Sequence, residues 1–280
     1  MSNRQPKCDP ASQRNRMMTE KIRVGAILVG ISFFFILPGA AQSAEDGKTV
    51  AAQEKIRVVI LVGGHPYDER GFDQLWSSYG DIAADVWQGA PYTVFDDIDE
   101  FKYDVIVMYN LSSGITETQR KNFLRLLENG VGLIVWHHAL ANCQDWPEFE
   151  TIAGGKFWME PGERDGVQVP KSGVGGGRVK MHIEDTKHPI TKGINDFAVD
   201  DETYNGQTFG DGIHLLVSTD HPSSDKPIAW VRNYRKARVF GNQSGHDAKV
   251  WTNKSFQQLM ARGIRWTAGR LPATADTETK

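Results

Sequence analysis

Four histidines stand where apolar runs end. His137 and His138 are adjacent and directly follow Leu133 to Trp136; His65 follows Ile56 to Val62 and the pair Gly63-Gly64; His246 comes shortly after Arg238 to Gly241. Asn110 closes a further run, Val105 to Tyr109, and Asp201 and Glu202 are adjacent in the segment Asp200 to Tyr204. Imidazoles with carboxylates compose either a metal site or a general acid/base pair. Together they suit zinc, and iron or nickel less well. The expected ligands of a divalent metal such as zinc are His138, His246 and Glu202, and the expected catalytic groups are His138, His137, Glu202 and His65. No His-x-x-x-His pair fixes two ligands on one helix face, so these groups meet only if the fold brings them together. Successive strand residues face opposite ways, so one of His137 and His138 is expected to face the site. His182, His188, His214 and His221 read as structural: two precede proline in turns and two lie inside strands.

Nucleophilic catalysis fits the sequence less well. A nucleophile elbow puts Ser or Cys on the sharp turn straight after a strand, and here that turn carries histidine. Cys143 lies five residues beyond His138 and reads as a small buried hydrophobe. Ser244 has no glycine spacing that singles it out. The acidic run Asp96, Asp97, Asp99 and Glu100 reads as a solvated turn, because hard-cation loops space their ligands around a glycine.

The runs that end in these residues are continuous in apolar character, as parallel strands are when helices cover both faces of the sheet. Ile56 to Val62, Asp85 to Trp87, Val105 to Tyr109 and Leu133 to Trp136 read as strands. Helical spacing covers Phe72 to Ala84, and Thr116 with Gln119 forms a capping box for a helix that Gly130 stops. Proline inside the first turn marks another helix at Gln144 to Phe149. Arg178 to Ile183, Ile213 to Ser218, Ile228 to Val231 and Arg238 to Gly241 read as further strands, Pro189 to Ile194 as a helical turn, and Phe256 to Trp266 as a closing amphipathic helix. The order predicts a three-layer α/β/α domain with a mostly parallel sheet, whose ligands bind outside the carboxyl ends of the strands. Phe157 to Gly177 is glycine-rich, and its part from Pro161 to Gly177 is expected to be a mobile lid over that crevice. Among the tryptophans, Trp146, Trp158 and Trp251 lie near loops and are the candidates for a binding platform.

Length and charge bound the rest. Residues 1–44 combine a basic stretch, an apolar run from Val24 to Leu37 and a small-residue exit, which predicts a secretory signal peptide rather than a spanning helix. Residues 45–54 form a short linker, 55–270 the domain and 271–280 a polar tail. Residues 1–44 hold six of the 32 Lys/Arg and two of the 35 Asp/Glu, which leaves 26 against 33. No basic run then remains to track a phosphate backbone, so nucleic acid is not an expected partner. Cys8 leaves with the leader, and Cys143 alone can form no intramolecular disulfide. The mature protein is expected to be periplasmic or secreted, with no stable membrane insertion.

His137-His138-Ala139, Gln144-Asp145-Trp146-Pro147-Glu148 and Gly154-Gly155 are followed by His188-Pro189, Asp201-Glu202 with Tyr204, and Thr219-Asp220-His221-Pro222. Pro227-Ile228-Ala229-Trp230, Arg238-Val239-Phe240, Gly245-His246 and Trp266 complete the series. In this set of motifs the chain resembles the trehalose-utilisation, or ThuA-like, family over about residues 55–268. The resemblance implies the class I glutamine-amidotransferase-like fold, a relative of flavodoxin. It also implies a role in disaccharide catabolism linked to 3-keto-glycosides. The catalytic cysteine of true amidotransferases is replaced by the His-His motif, so cysteine-dependent glutamine hydrolysis is not expected. Ser244 departs from the family pattern, which is usually apolar there. The expected partner is a small-molecule carbohydrate, contacted by Asn110, Trp146, Asp201 and Tyr204. The alternative is a non-catalytic carbohydrate-binding or accessory module that kept an enzyme-like fold.

Overall fold

In the computed structural model, which describes residues 54–271, the four apolar runs become adjacent parallel strands. β1 (Ile56–Leu61) lies between β2 (Ile82–Val86) and β3 (Val105–Met108), and β4 (Gly132–Trp136) follows β3. Val58 to Leu61, Val105 to Met108 and Leu133 to Trp136 have no measurable exposure, because both sheet faces are covered. On one face lie α1 (Glu69–Ser77) and, from the far end of the chain, α5 (Lys254–Thr267), through Phe72, Leu75 and Trp76 and through Phe256, Leu259 and Ile264. On the other lie α2 (Glu117–Glu128) and α3 (Pro147–Ala153), through Phe123, Leu126 and Leu127 and through Phe149 and Ile152. The expected α/β/α layering follows from these two cores. The capping box of α2 is present as read: Thr116 Oγ1 accepts from Gln119 N–H, and Gln119 Oε1 from Thr116 N–H.

Beyond α3 come the short strands β5 (Gly155–Lys156), β6 (Gly162–Arg164) and β7 (Val167–Val169), then the long pair β8 (Gly173–Ile183) and β9 (Phe197–Asn205). β10 (Thr208–Phe209), β11 (His214–Ser218), β12 (Pro227–Tyr234), β13 (Ala237–Asn242) and the single turn α4 (Ala248–Trp251) complete the chain up to α5. The main sheet runs β2-β1-β3-β4-β13-β12-β11-β8-β9. Its first five strands are parallel, in the flavodoxin order, and the last four add antiparallel. β8 joins β11 only through His182 and Ile183.

Two expectations are corrected here. Helix α1 ends at Ser77 and Ile82 opens β2, so the helix read as far as Ala84 overran a tight turn. The glycine-rich stretch from Pro161 to Gly177 is not irregular: it forms the β6–β7 hairpin and the first half of β8, paired residue for residue with β9, and it lines the expected crevice through Lys171, Ser172 and Val174. The expected leader, most of the linker and the polar tail lie outside the described residues, and among those described no helix is long and apolar enough to cross a membrane.

Candidate functional site

Strand β4 ends at Trp136, and the chain turns at once into a short 3-10 segment, His137–Ala141. His137 takes φ 55°, a left-handed conformation that strains a residue other than glycine and persists only when its surroundings hold it. What holds it is a hydrogen bond. Nδ1 lies 2.7 Å from the Gln243 carbonyl at the end of β13. A carbonyl only accepts, so Nδ1 carries the proton, and in the neutral ring Nε2 is left bare.

Three groups surround that bare nitrogen. The Tyr204 hydroxyl is 3.0 Å away, His246 Nδ1 3.1 Å and Glu202 Oε1 3.4 Å, while His246 Nδ1 and Glu202 Oε1 are 3.7 Å apart. Ligand atoms about 2.1 Å from a tetrahedral zinc ion stand about 3.4 Å from one another. The three separations among His137, Glu202 and His246 bracket that value, and the carbonyl behind His137 is the outer partner that a ligating histidine needs.

The loop carrying His246 is clamped from below. The Asp201 carboxylate accepts from Ser244 Oγ at 2.6 Å, from Gly245 N–H at 2.9 Å and from His246 N–H at 3.1 Å. The Tyr109 hydroxyl donates to the His246 carbonyl, the Trp136 indole to that of Ser244 and the Trp251 indole to that of Gly245. Gly245 has φ 120°, and a Cβ there would lie 2.3 Å from the Trp136 indole nitrogen, so only glycine fits. Burial pushes the Asp201 carboxyl up, against the pull of His137 and of these donors. For Glu202, burial also raises, but His137 in its charged form, with His246 and the Tyr204 hydroxyl, outweighs it and holds the carboxyl below its usual range.

Beside this cluster is a crevice of about 360 Å³, lined by His65, His138, Glu202 and Tyr204 together with Leu111, Phe157, Met159, Lys171 and Val174. His65 stacks on His138 with ring centroids 4.8 Å apart. His65 Nδ1 donates to the Pro66 carbonyl at 2.8 Å, which leaves its Nε2 bare. His138 Nε2 donates to the Tyr109 carbonyl at 3.0 Å, and its Nδ1 has no partner. Burial, with His137 next, lowers the His138 pKa to about 3, so the ring is a neutral acceptor throughout the physiological range.

The structure therefore redistributes the expected roles. His137, and not His138, shares the ligand cluster with Glu202 and His246: the strand stops at Trp136, so alternation no longer decides which ring faces the site. Asn110 is wholly buried and its Oδ1 accepts from Asn142, away from the crevice. Trp146 packs in the core against Phe123 and Phe149, under Arg120. Trp158 and Trp251 are likewise buried, their indoles bonded to Thr208 Oγ1 and the Gly245 carbonyl, so none of the three tryptophans lines the crevice. Asp201 holds backbone and not substrate, and Ser244 is one of its donors, which explains that departure from the family pattern. Tyr204 does line the crevice, as does His65. Besides the apolar walls of the crevice, two contributors are not among the expected residues. Gln243 acts through its main-chain oxygen, which no side-chain pattern reveals, whereas Tyr109, a polar ring at a strand's carboxyl end, had been legible. Cys143 is buried against the Tyr92 hydroxyl, and burial raises its thiol to about 11, far from a nucleophile's range.

The family described as ThuA, trehalose utilisation, matches residues 57–267. Among solved structures, a putative ThuA-like protein from Parabacteroides merdae is 20% identical with a TM-score of 0.64, over 78% of this chain and 92% of that one. One from Bacteroides uniformis is 21% identical with a TM-score of 0.58, over 77% and 93%. A cold-adapted beta-galactosidase from Rahnella sp. R3 is 11% identical with a TM-score of 0.50, over 79% of this chain and 32% of that one, a likeness of fold alone. No curated protein matches the chain.

Proposed function

Since the chain belongs to the ThuA, trehalose-utilisation, family and so has a role in carbohydrate utilisation, we propose that it is an enzyme that cleaves an oxidised glycoside or disaccharide at a metal-assisted site. The observation that carries this reading is the cluster of His137 Nε2, Glu202 Oε1 and His246 Nδ1, set 3.1 to 3.7 Å apart beside a crevice. A 3-keto sugar has an acidic proton on C2, next to its carbonyl. His137, Glu202 and His246 would hold a divalent metal, which would supply Lewis-acid polarisation of that carbonyl.

The chain's own residues do the rest. His65, with Nδ1 tied to Pro66, presents a bare Nε2 to the crevice and takes the C2 proton. The C1–O bond breaks as the C1=C2 bond forms, the electron pair leaves on the glycosidic oxygen, and the His65 imidazolium returns the proton to it. His138 is too weak a base for that step, and its ring, stacked on that of His65, holds the base in place instead. Tyr204 orients His137, and Phe157 and Leu111 exclude water from the crevice. The test is turnover of 3-keto-glycosides by purified protein with zinc, manganese or chelator. Activity that needs metal and disappears in His137→Ala supports the reading. Absence of turnover under every metal counts against it.

A second reading, a non-catalytic carbohydrate-binding module, is favoured by one observation: the elbow position carries no nucleophile and Cys143 is buried. Sugar binding that survives His137→Ala and His246→Ala together would select it. The leader motif supports export, and exported protein should then begin within Gln42 to Glu45 by intact mass.

A further inference from the structure

The crevice is polar at its floor and apolar at its mouth. Tyr204 and His138 are almost wholly buried, whereas Val174 is 59% and Met159 37% exposed. Among the described residues only three large hydrophobic side chains are this exposed, and two of them line this one crevice. Scattered exposed apolar side chains need no explanation, but two that converge on a concave site do. Nor is the placement loose. Val174 is the cross-strand partner of Tyr204, so both side chains leave the same face of the β8–β9 pair, and Tyr204 in turn stacks on His137 at 4.9 Å. Phe157 packs edge-on against the same Tyr204 ring and joins Leu111 and Ala141 along the wall.

Polar groups are few near the mouth: Ser172, whose hydroxyl is fully engaged, and Lys171, which keeps donors free beside one exposed pair. Ser172 Oγ accepts from Trp158 N–H and donates to the Gly206 carbonyl, and Lys171 pairs with Glu160 at 3.5 Å. A second sugar ring lying there would put several hydroxyls against Val174, Met159 and Leu111, and would lose hydration without replacement. An apolar group would meet side chains that are otherwise left in water. Resting on the proposal that the floor takes an oxidised sugar, we infer that the mouth is a subsite for an apolar aglycone, so that aryl or alkyl glycosides, more than disaccharides, are the substrates. The volume of about 360 Å³ suits one sugar ring with such a group, near the small end of ligand pockets.

The test compares phenyl with methyl 3-keto-glucosides, both anomers of each, and 3-ketotrehalose, by half-saturating concentration in thermal-shift and calorimetric titrations of the full-length protein. The phenyl compound should bind about tenfold tighter than the methyl one, the scale on which partial burial of an aromatic ring acts. Val174→Thr and Met159→Gln, both of conserved size, should each remove severalfold of that preference and leave methyl glucoside binding unchanged. Methyl and phenyl glucosides bound equally well, or 3-ketotrehalose bound more tightly than either, would overturn the aglycone subsite while leaving the sugar site intact. Failure of every sugar to bind would overturn both.

Discussion

The Nδ1 atom of His137 and the backbone oxygen of Gln243 are 2.7 Å apart, and this one contact between the residues that directly follow β4 and β13 decides which nitrogen of the imidazole is available for chemistry. Nitrogen-15 NMR of the imidazoles at neutral pH should show His137 as the Nδ1–H tautomer. His137→Ala and His246→Ala should each weaken zinc binding by more than about a hundredfold, above the usual loss from removing a ligand's outer partner. His138→Ala should bind zinc as the wild type does. Metal analysis in which His138→Ala alone loses the ion would refute the ligand set given above.

Tyr204 competes with a metal for the same lone pair, since its hydroxyl donates to His137 Nε2 at 3.0 Å. Removing that donor in Tyr204→Phe should tighten zinc binding by about fivefold, the worth of one ordinary hydrogen bond of about 1 kcal/mol. Weaker binding in calorimetry would mean that the hydroxyl supports the ion and does not oppose it.

Asp201 is a positioning residue whose substitution should show in stability before anything else. Asp201→Asn turns a carboxylate with four donors on it, Ser244 Oγ and the backbone N–H groups of Glu202, Gly245 and His246, into an amide that must present its own N–H to some of them. Urea unfolding should report a loss of about 2–4 kcal/mol, with zinc affinity falling alongside. An unchanged midpoint would remove Asp201 from this role.

Acid should destabilise the fold well before carboxylates titrate. Burial, then His137, depresses the His138 pKa from 6.5 to about 3. Below pH 6.5 the unfolded chain binds a proton at this ring and the folded protein does not. The contribution is therefore complete above pH 6.5 and is lost as pH falls towards 3, with a slope of up to about 1.4 kcal/mol per pH unit. His188, lowered to about 4 by burial and by His214, acts with the same sign. Thermal unfolding followed from pH 7 to 4 should show His138→Gln, which keeps a donor for the Tyr109 carbonyl, losing stability less steeply than the wild type. Parallel slopes would contradict a buried neutral His138.

The parallel half of the sheet was legible because strands buried on both faces have nowhere to put a polar side chain, as Val58 to Leu61 and Leu133 to Trp136 illustrate. Of the antiparallel half, β11, β12 and the second half of β8 were legible as strands, whereas β9 and the start of β8 were not. β9 contains Asp200, Asp201 and Glu202 in succession, so no apolar run marks it as a strand, and Asp201 is turned inward onto the 244–246 loop. β8 begins with glycines because neighbours come close: a Cβ on Gly175 would lie 2.4 Å from the Ser223 hydroxyl. The crevice's location at the strand ends followed from topology alone. Its membership did not, because the choice between His137 and His138 depends on a backbone angle of 55° and a main-chain acceptor over a hundred residues away.

Strand β13 also sets an order in time. It stands between β4 and β12, and so is the seam that joins the early parallel strands to the antiparallel ones, although it is made after all of them. Until it arrives, β4 with His137 and β9 with Glu202 and Tyr204 have no continuous sheet between them, and the acceptor for His137 Nδ1 does not yet exist. Contacts across such sequence distances are slow to close. A growing or threading chain therefore passes through most of its length with the cluster unassembled; the last strand brings the acceptor for His137, the loop after it brings His246, and α5 then closes the core.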